Sequence, residues 1–513
     1  MFKRRHILSN SPKISYRKMS TEFCHQFIIN EGRLRAVSKL CACMMALLTF
    51  SACGHGNKQD KVIKTADIDN RLTGYVGSAA GDEPQATMIA RDVLVRGGNA
   101  ADAATALGFA LTVTLPSRAS LGGGGACIAY SPGKPAESIL FMPQPDVQQG
   151  QADRPASIPM MARGLYLLQA TYGKSDINDI LSLVDTLAQK GVIVSDQLAY
   201  DIAAVQVPLF SDTGMQTMLS RHGGGALKSG DLFYQPRLKI IYDRLISAGI
   251  ADLYIGSLAH SYILGAQASG GGLSGRAFRN ALPYRVPALT LTYGKNSVYF
   301  LSPPADGGLG MASAWQGLVS GQPHALSLAQ GSVAQWRANN AVSYDKKTIL
   351  KQIDKAQAQI RRHSSAIGTL PSLPASTSFT VVDRHGGAVS CALTMNNLFG
   401  TGRIAGNTGI VMAASPKSYP MPLFTGAIAT RHKQLLTVVS ASGQNDASAA
   451  GAQVLTLFMN SSTLDDKEKI LSHPGAPQGR VNAVHCPEGA LSQSGHCQAY
   501  TDPKGLGLAI NRH

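Results

Sequence analysis

The chain has 513 residues, of which 44% are hydrophobic and 15% charged, so a largely disordered protein is excluded. Lys and Arg number 47 against 31 Asp and Glu, and the resulting net charge of +16 raises the question of a nucleic-acid partner. Residues 1–39 alone carry nine basic and two acidic side chains, and thus seven of those net charges. The remainder has no run of five like charges and no alternation of aromatic and arginine residues, so we expect no nucleic-acid partner.

Residues 1–53 have the pattern of an export leader. The basic part is followed by the uncharged run Leu40–Cys53, which is shorter than the roughly 20 residues of a membrane-spanning helix. A basic flank, a short apolar run and small residues at its end are typical of a secretory signal. The ending FSAC resembles a bacterial lipobox, so we expect lipidation of Cys53, with plain signal cleavage nearby as the alternative. This predicts a periplasmic protein that meets a bacterial membrane only through a lipid anchor, with residues 54–70 as a polar tether.

The remaining cysteines are interpreted from their surroundings. Cys486 and Cys497 are close in sequence, and in an oxidising compartment they would form a disulfide worth about 3 kcal/mol at most. A zinc site that includes the histidine before each of them is the rival, but adjacent His-Cys pairs do not match the usual ligand spacing. Cys127 and Cys391 stand in apolar contexts, which favours buried thiols over nucleophiles.

From residue 71 onward the pattern is that of mixed helices and strands. Asp82 and Pro84 mark the start of a helix, and Asn99 caps a second helix whose small residues permit close packing. Apolar periodicity makes residues 160–275 mainly helical. The other predictions are strands at 74–80 and 126–130, strand-like segments at 286–294 and 296–304, a helix near 307–320, and a hairpin of 376–383 with 388–396 across the turn RHGG.

The residues by themselves indicate only one kind of chemistry. The sequence contains no GxSxG, HExxH or P-loop motif, and GTGRIAG at 400–406 has the spacing of a turn rather than of a dinucleotide loop. A hydroxyl-rich strand start, ASTSFT at 375–380, follows a proline-rich segment. A Ser or Thr that cleavage places at a new N-terminus can use its own α-amine, with a pKa of about 8, as the base. Most Ser or Thr residues at a strand start are nevertheless only structural.

Two long segments carry a specific resemblance. GGNAADAATALGFALTVTLPSRASLGGGG (97–125) and STSFTVVDRHGGAVSCALTMNNLFGTGRIAGNTGIVM (376–412) closely resemble the γ-glutamyltransferase (γ-glutamyl transpeptidase) family, in the family's order. The resemblance implies an N-terminal-nucleophile hydrolase with an α+β fold, a four-layer αββα sandwich, and no metal or organic cofactor. It also implies a precursor that cuts itself into a large-subunit part, 71–375, and a small-subunit part, 376–513, which together form one domain.

The resemblance also implies roles for single residues. The family's nucleophilic Thr falls on Ser376, so the cut is expected between Ala375 and Ser376, with Thr377 as the fallback nucleophile. Ser keeps the hydroxyl and the amine but lacks the methyl group that restrains χ1. Thr394 matches the Thr that hydrogen-bonds the nucleophile region, and Asn396 matches the Asn that contacts the glutamyl part of the substrate.

Three further segments align with family site loops. SASGQND at 440–446 places the oxyanion-hole pair at Gly443 and Gln444, whose backbone N–H groups would be the donors. The family's Ser-Ser pair appears as Phe424 and Thr425, which makes Thr425 a candidate substrate contact. The run of glycines at 122–125 is expected to form a tight turn near the site rather than a phosphate cradle.

The sequence departs from the family at two substrate contacts. Met142 stands where the family has the Arg that binds the substrate carboxylate, and a thioether cannot replace a bidentate guanidinium. Ser418 stands where the family has the acid that holds the substrate amine. Arg118 or Arg403 could supply a carboxylate partner from elsewhere, although exposed arginines are the simpler expectation.

Three hypotheses follow. The first is an exported, self-cutting enzyme that hydrolyses a γ-glutamyl amide or transfers its acyl group to an amine, through an acyl-enzyme on Ser376. The second is an acylase of the same fold with another amide substrate. The third is a degenerate lipoprotein that keeps the fold for binding and has lost catalysis. Met142 and Ser418 favour the second or third hypothesis, and the Ser376, Thr394 and Asn396 set favours the first two.

Overall fold

Two antiparallel sheets organise the part of the chain that the computed structural model describes, namely residues 75–146, 152–362, 368–460, 477–489 and 497–512. The predictions for the leader, the tether and Cys53 lie outside these residues. No helix within these ranges is long and apolar enough to cross a membrane. The strands in chain order are β1 (Gly77–Gly81), β2 (Gly124–Tyr130), β3 (Glu137–Phe141), β4 (Gln144–Pro145), β5 (Ser157–Ile158), β6 (Val192–Ile193), β7 (Leu232–Phe233), β8 (Tyr284–Pro287), β9 (Leu289–Tyr293), β10 (Asn296–Phe300), β11 (Thr377–Asp383), β12 (Ala388–Thr394), β13 (Thr425–Arg431), β14 (Gln434–Ser442), β15 (Arg480–His485), β16 (Gln498–Thr501) and β17 (Leu508–Arg512).

Helices cover the outer face of each sheet. The helices in chain order are α1 (Pro84–Val95), α2 (Ala100–Thr114), α3 (Met161–Tyr172), α4 (Ile177–Lys190), α5 (Asp196–Leu209), α6 (Thr213–Leu219), α7 (Pro236–Ala248), α8 (Asp252–Ile255), α9 (Ser257–Ala268), α10 (Gly275–Asn280), α11 (Gly307–Val319), α12 (Leu328–Asn339), α13 (Lys346–Arg361) and α14 (Ala447–Asn460). The predicted helical character of residues 160–275 is confirmed by α3 to α10.

The four layers follow from which strands are buried on both faces. The first sheet has the order β17-β1-β11-β12-β2-β3-β8, and the second has the order β16-β15-β14-β13-β10-β9. Every residue of β2, β11 and β12 is buried, because β13 to β15 cover one face of these strands and α2 and α3 cover the other. Helices α11 and α14 pack on the outer face of the second sheet. The predicted αββα sandwich is therefore confirmed.

Local signals explain the helix boundaries. Helix α1 begins at Pro84, but its N-cap is Glu83, whose carboxylate accepts from the Ala86 N–H at 2.7 Å. Asp82 was expected to mark this helix start; it instead turns inward, as described below. Helix α2 begins after Asn99, which forms the expected cap and completes a capping box with an acid three residues later.

The glycine run at 122–125 serves a close approach of two strands. The Gly123 N–H closes a turn onto the Ser120 carbonyl at 2.9 Å. A Cβ on Gly123 would lie 2.6 Å from the Thr394 carbonyl oxygen, and one on Gly125 would lie 2.4 Å from the Ala392 carbonyl oxygen. Only glycine lets β2 lie this close to the end of β12.

Both cysteine pairs of the described residues are oxidised. Cys127 and Cys391 face each other across β2 and β12, and their sulfur atoms are bonded. The expectation of two buried thiols is wrong at these positions: both side chains are buried, but the strand register, which the sequence does not reveal, places them opposite each other. Cys486 and Cys497 form a second disulfide, which occupies both sulfurs that the alternative zinc site would need.

Replacing Asn99 with alanine tests the helix cap. The Asn99 side chain accepts from the Asp102 N–H at 3.0 Å and donates to the Tyr172 carbonyl at 2.6 Å. We expect Asn99→Ala to lower the free energy of unfolding by about 1–2 kcal/mol, measured by urea denaturation. Asp176→Ala, at an exposed N-cap, should cost less. Equal stability of Asn99→Ala and the wild type would contradict the role of the cap.

Candidate active site

Ser376 lies immediately before β11, inside the molecule. Only 1% of its surface is exposed, and its Oγ has no hydrogen-bond partner among the described residues. An unpaired buried hydroxyl is uncommon, because burial without a partner costs free energy. The neighbouring Thr377 hydroxyl, by contrast, donates to the Asp82 carboxylate at 3.2 Å. Of the two candidate nucleophiles, Ser376 is therefore the one whose hydroxyl is available.

Thr394 contacts the peptide bond that precedes Ser376. Its hydroxyl donates to the Ala375 carbonyl oxygen at 3.0 Å and accepts from the Asn396 N–H at 2.9 Å. The register of β11 and β12 pairs Thr377 with Leu393, which brings the end of β12 beside Ser376. Because a carbonyl oxygen can only accept, the Thr394 hydroxyl is the donor in its contact with Ala375.

Arg118 holds the carbonyl on the other side of Ser376. Its Nη1 donates to the Ser376 carbonyl oxygen at 3.1 Å, while Nε and Nη2 form a bidentate pair with Asp201 at 2.7 and 2.8 Å. Burial by itself would lower the pKa of the Arg118 guanidinium, but the hydrogen bond and the charge of Asp201 raise that pKa. Arg118 is only 8% exposed, so the expectation of an exposed arginine is wrong.

Asp201 is itself fixed by its surroundings. It is fully buried on α5 and also accepts from the Ser117 hydroxyl at 2.7 Å and from the Gln197 amide at 2.8 Å. Arg480 in turn donates to the Gln197 side chain. A buried ion pair needs such additional hydrogen bonds to offset its desolvation. The guanidinium of Arg118 is thus held in one orientation.

Asp82 joins the start of β11, in the first sheet, to the second sheet. Its Oδ2 accepts from the Ser378 N–H at 2.9 Å and from the Ser442 hydroxyl at 2.8 Å, in addition to Thr377. Its Oδ1 accepts from the Asn482 amide at 2.7 Å. Ser442 and Asn482 belong to β14 and β15 of the second sheet, so one buried carboxylate fixes the start of β11 against that sheet.

The predicted oxyanion-hole loop contacts the segment before the expected cut. Gly443 and Gln444 both adopt left-handed backbone conformations, with φ of +105° and +58°. The Gln444 side chain donates to the Leu373 carbonyl at 3.0 Å, and the Asn445 side chain accepts from the Leu373 N–H at 3.0 Å. The loop therefore contacts the backbone of Leu373, which stands three residues before Ser376. Its role as a donor of N–H groups to a substrate stays a prediction.

Asn396 has an unfilled acceptor. It is fully buried in the left-handed region, with φ of +56°, and its Nδ2 donates to the Tyr419 carbonyl at 3.3 Å. Its Oδ1 has no partner within the described part of the chain. A cavity of about 450 Å³ lies beside this segment and is lined by Asn397, Ser418 and Tyr419, among others. The Asn396 amide oxygen is therefore unpaired among the described residues, and Asn396 itself is not one of the residues that line the cavity.

The described contacts do not link Thr425, Met142 or Arg403 to Ser376. The Thr425 hydroxyl is buried and shares a 3.2 Å hydrogen bond with the Ser448 hydroxyl. Met142 is 4% exposed and packs into the core between the sheets. Arg403 donates to the Ser269 carbonyl and pairs with Asp153. No group of three or more His, Cys, Asp or Glu residues in the described ranges could hold a metal ion.

Asp201 and Asp82 are residues that sequence analysis missed as parts of the site, and Arg118 was considered there only as a possible carboxylate partner. Arg118 stands within the segment 97–125, which carries the family resemblance, and Asp201 stands on α5. A buried charged residue is expected to have a partner, but the partner of Arg118 is 83 residues away in sequence. Only the fold identifies it.

Comparison with known proteins shows which proteins the chain is similar to. The family model described as Gamma-glutamyltranspeptidase matches residues 86–321. The glutathione hydrolase proenzyme of Escherichia coli (strain K12) is 27% identical over 393 residues, which cover 67% of this chain and 67% of that relative. The acylase ACY 1 proenzyme of Pseudomonas sp. (strain V22) is 26% identical over 390 residues, which cover 65% of this chain and 69% of that relative.

A solved structure gives the same architecture. The cephalosporin acylase from Bacillus halodurans is similar with a TM-score of 0.67 over 90% of this chain and 99% of its own, at 17% identity. At that identity the likeness establishes the fold alone. This chain is thus similar to gamma-glutamyltranspeptidases over residues 86–321 and to glutathione hydrolase and acylase proenzymes over about two thirds of its length, and it has the fold of the cephalosporin acylase.

Proposed function

We propose that the chain cuts itself between Ala375 and Ser376 and then acts on amides through an acyl-enzyme on Ser376, with γ-glutamyl amides as the first substrate class. The observation that carries the proposal is the buried Ser376 Oγ, which has no partner among the described residues, next to an Ala375 carbonyl that Thr394 polarises. No metal or organic cofactor enters this chemistry.

The cutting step uses three groups. Ser376 Oγ attacks the Ala375 carbonyl carbon, and the Thr394 hydroxyl donates to the oxygen on which negative charge develops. The peptide C–N bond breaks, its nitrogen gains the proton that Ser376 Oγ loses and becomes the α-amine of Ser376, and an Ala375–Ser376 ester remains. Water hydrolyses that ester, which leaves one fragment ending at Ala375 and a second beginning at Ser376.

Turnover repeats this chemistry on a substrate. The free α-amine accepts the proton of Ser376 Oγ, which attacks the substrate amide carbon, and the proton then passes to the leaving amine. Water or a second amine attacks the resulting ester and releases the acid or the transferred amide. The backbone N–H groups of Gly443 and Gln444 are the proposed oxyanion donors, and the Asn396 amide is the proposed substrate contact. Thr425, whose hydroxyl faces Ser448, is the weakest of the proposed contacts.

The departures at the substrate site favour a second candidate, an acylase for another amide. Met142 is buried in the core and cannot bind a carboxylate as arginine would. Ser418 lines the cavity beside Asn397 but brings no charge to it. One curated relative is an acylase and another is a glutathione hydrolase, so both activities occur among similar proteins. A catalytically inactive binding protein is the third candidate, and the intact Ser376 and Thr394 pair argues against it.

We also propose export to an oxidising compartment. The two disulfides of the described residues support it, because such bonds are rare in the reducing cytosol. Lipidation at Cys53 remains part of the same proposal and is checked by the mass of the mature N-terminus.

The nucleophile is tested with Ser376→Ala and Ser376→Thr. We expect the wild type and Ser376→Thr to give two fragments on a reducing gel, with the smaller fragment starting at residue 376. Ser376→Ala should remain uncut and inactive, because it lacks the attacking oxygen. Release of chromophore from a γ-glutamyl anilide by the cut protein would favour the first substrate class, and release only from other acyl anilides would favour the acylase. A folded wild-type chain that stays uncut would contradict the proposal.

Asp82→Asn tests whether the β11 anchor matters to cutting. The amide places an NH₂ group opposite donors such as the Ser378 N–H, so we expect the free energy of unfolding to fall by about 1–3 kcal/mol. We also expect slower cutting at Ser376. The matched control is Asp102→Asn, since Asp102 is also buried and accepts from the Ser175 N–H and hydroxyl away from Ser376. Equal cutting rates in the two variants would contradict a role for Asp82 at the nucleophile.

A further inference from the structure

We propose that Arg118, fixed by Asp201, is the positioning residue that holds Ser376 in place once the chain has been cut; this inference rests on the proposed function. In the uncut chain the two carbonyls that flank the nucleophile each accept a hydrogen bond from a side chain, one from Thr394 and one from Arg118. Cutting removes Ala375 from Ser376. The contact of Thr394 to that carbonyl is then lost, and the contact of Arg118 remains.

The remaining contact is built to be rigid. Asp201 binds two nitrogens of the guanidinium, so the third is directed at the Ser376 carbonyl without freedom to rotate. Lysine could supply the charge but not this fork. Serine needs such support more than threonine does, because it lacks the γ-methyl group that restricts χ1. Fixing the backbone of residue 376 limits where its Oγ and α-amine can lie, and small displacements of a nucleophile reduce rates strongly.

Three variants separate positioning from structural support. Arg118→Lys keeps the charge, Arg118→Met removes it, and the double variant Arg118→Met with Asp201→Asn avoids leaving a buried carboxylate unpaired. The matched control is Arg337→Met, because Arg337 forms a comparable bidentate pair with Asp306, at 2.7 and 2.8 Å, on α12 and away from the described contacts of Ser376. Folding is checked by thermal unfolding, cutting by the rate of fragment formation, and turnover by kcat and KM.

We expect Arg118→Met and the double variant to lower the cutting rate or kcat about tenfold or more, with KM within about threefold of the wild type. Arg118→Lys should recover part of the loss, and Arg337→Met should leave both rates unchanged. Cutting and kcat at wild-type rates in folded Arg118→Met would overturn the proposal. A wild-type chain that is not cut at all would instead contradict the proposed function.

A second inference comes from the disulfide of the first sheet. We infer that the two fragments remain covalently joined after cutting. The expected cut at Ala375–Ser376 lies between Cys127 and Cys391, which are 264 residues apart in sequence and bonded to each other across β2 and β12. Cys486 and Cys497 lie in the same fragment, so their bond does not join the two.

Formation of the Cys127–Cys391 disulfide requires an external oxidant. The two thiols release two protons and two electrons to a disulfide-containing oxidant of the export compartment, which becomes a dithiol. Both sulfurs are fully buried between packed strands, so oxidation must precede or accompany folding. Reduction of the folded protein by external thiols should accordingly be slow, since thiol–disulfide exchange requires access to a sulfur atom.

Gels with and without reductant test whether the Cys127–Cys391 disulfide joins the two fragments. Exported protein is alkylated to prevent exchange and unfolded in detergent, and we expect one band of uncut size without reductant and two fragments with it. Cys127→Ala with Cys391→Ala should give two fragments in both lanes, whereas Cys486→Ala with Cys497→Ala should behave like the wild type. Two separate wild-type fragments without reductant would overturn the inference. A single uncut band in both lanes would contradict the cutting, and mapping of the peptide pair that contains Cys127 and Cys391 would then decide on the bond.

Discussion

The arrangement of the site depends on the hydrogen bonds that the buried Asp82 carboxylate accepts. A charge buried between two sheets is tolerated only when hydrogen bonds replace its lost hydration. Here the donors come from Thr377 and Ser378 at the start of β11 and from Ser442 and Asn482 in the second sheet. The same bonds that satisfy the carboxylate fix the strand that follows Ser376. They also occupy the Thr377 hydroxyl, so the adjacent Ser376 hydroxyl is the one left for chemistry.

The peptide bonds on either side of Ser376 are held by different parts of the fold. Thr394 reaches the preceding carbonyl from β12, and Arg118 reaches the following carbonyl from the turn after α2. Glycines at 122–125 let β2 pack against the end of β12, which sets the position of Thr394. These contacts limit movement of the backbone at Ser376, whose small side chain provides little restraint of its own. This arrangement suits a residue that must first be internal to the chain and later be its N-terminus.

Sequence patterns predicted the parts of the fold that depend on local signals. The cap at Asn99, the β11–β12 hairpin and the helical middle of the chain follow from periodicity and turn residues. Arg118 with Asp201, and Cys127 with Cys391, are pairs formed by strand register and helix packing over long sequence separations. Such partners cannot be read from one sequence. For Thr425 the family resemblance predicted a contact with the substrate, but its hydroxyl shares a hydrogen bond with the Ser448 hydroxyl.

The most direct test of the central claim is the mass of the small fragment during turnover. The protein is mixed with an amide that it hydrolyses, quenched in acid, reduced, and analysed by mass spectrometry with peptide mapping. The account predicts that the acyl group of the substrate is attached to the peptide that begins at Ser376, and that the adduct decays as product accumulates. An acyl group on a different residue, or steady hydrolysis with no adduct in rapidly quenched samples, would contradict it.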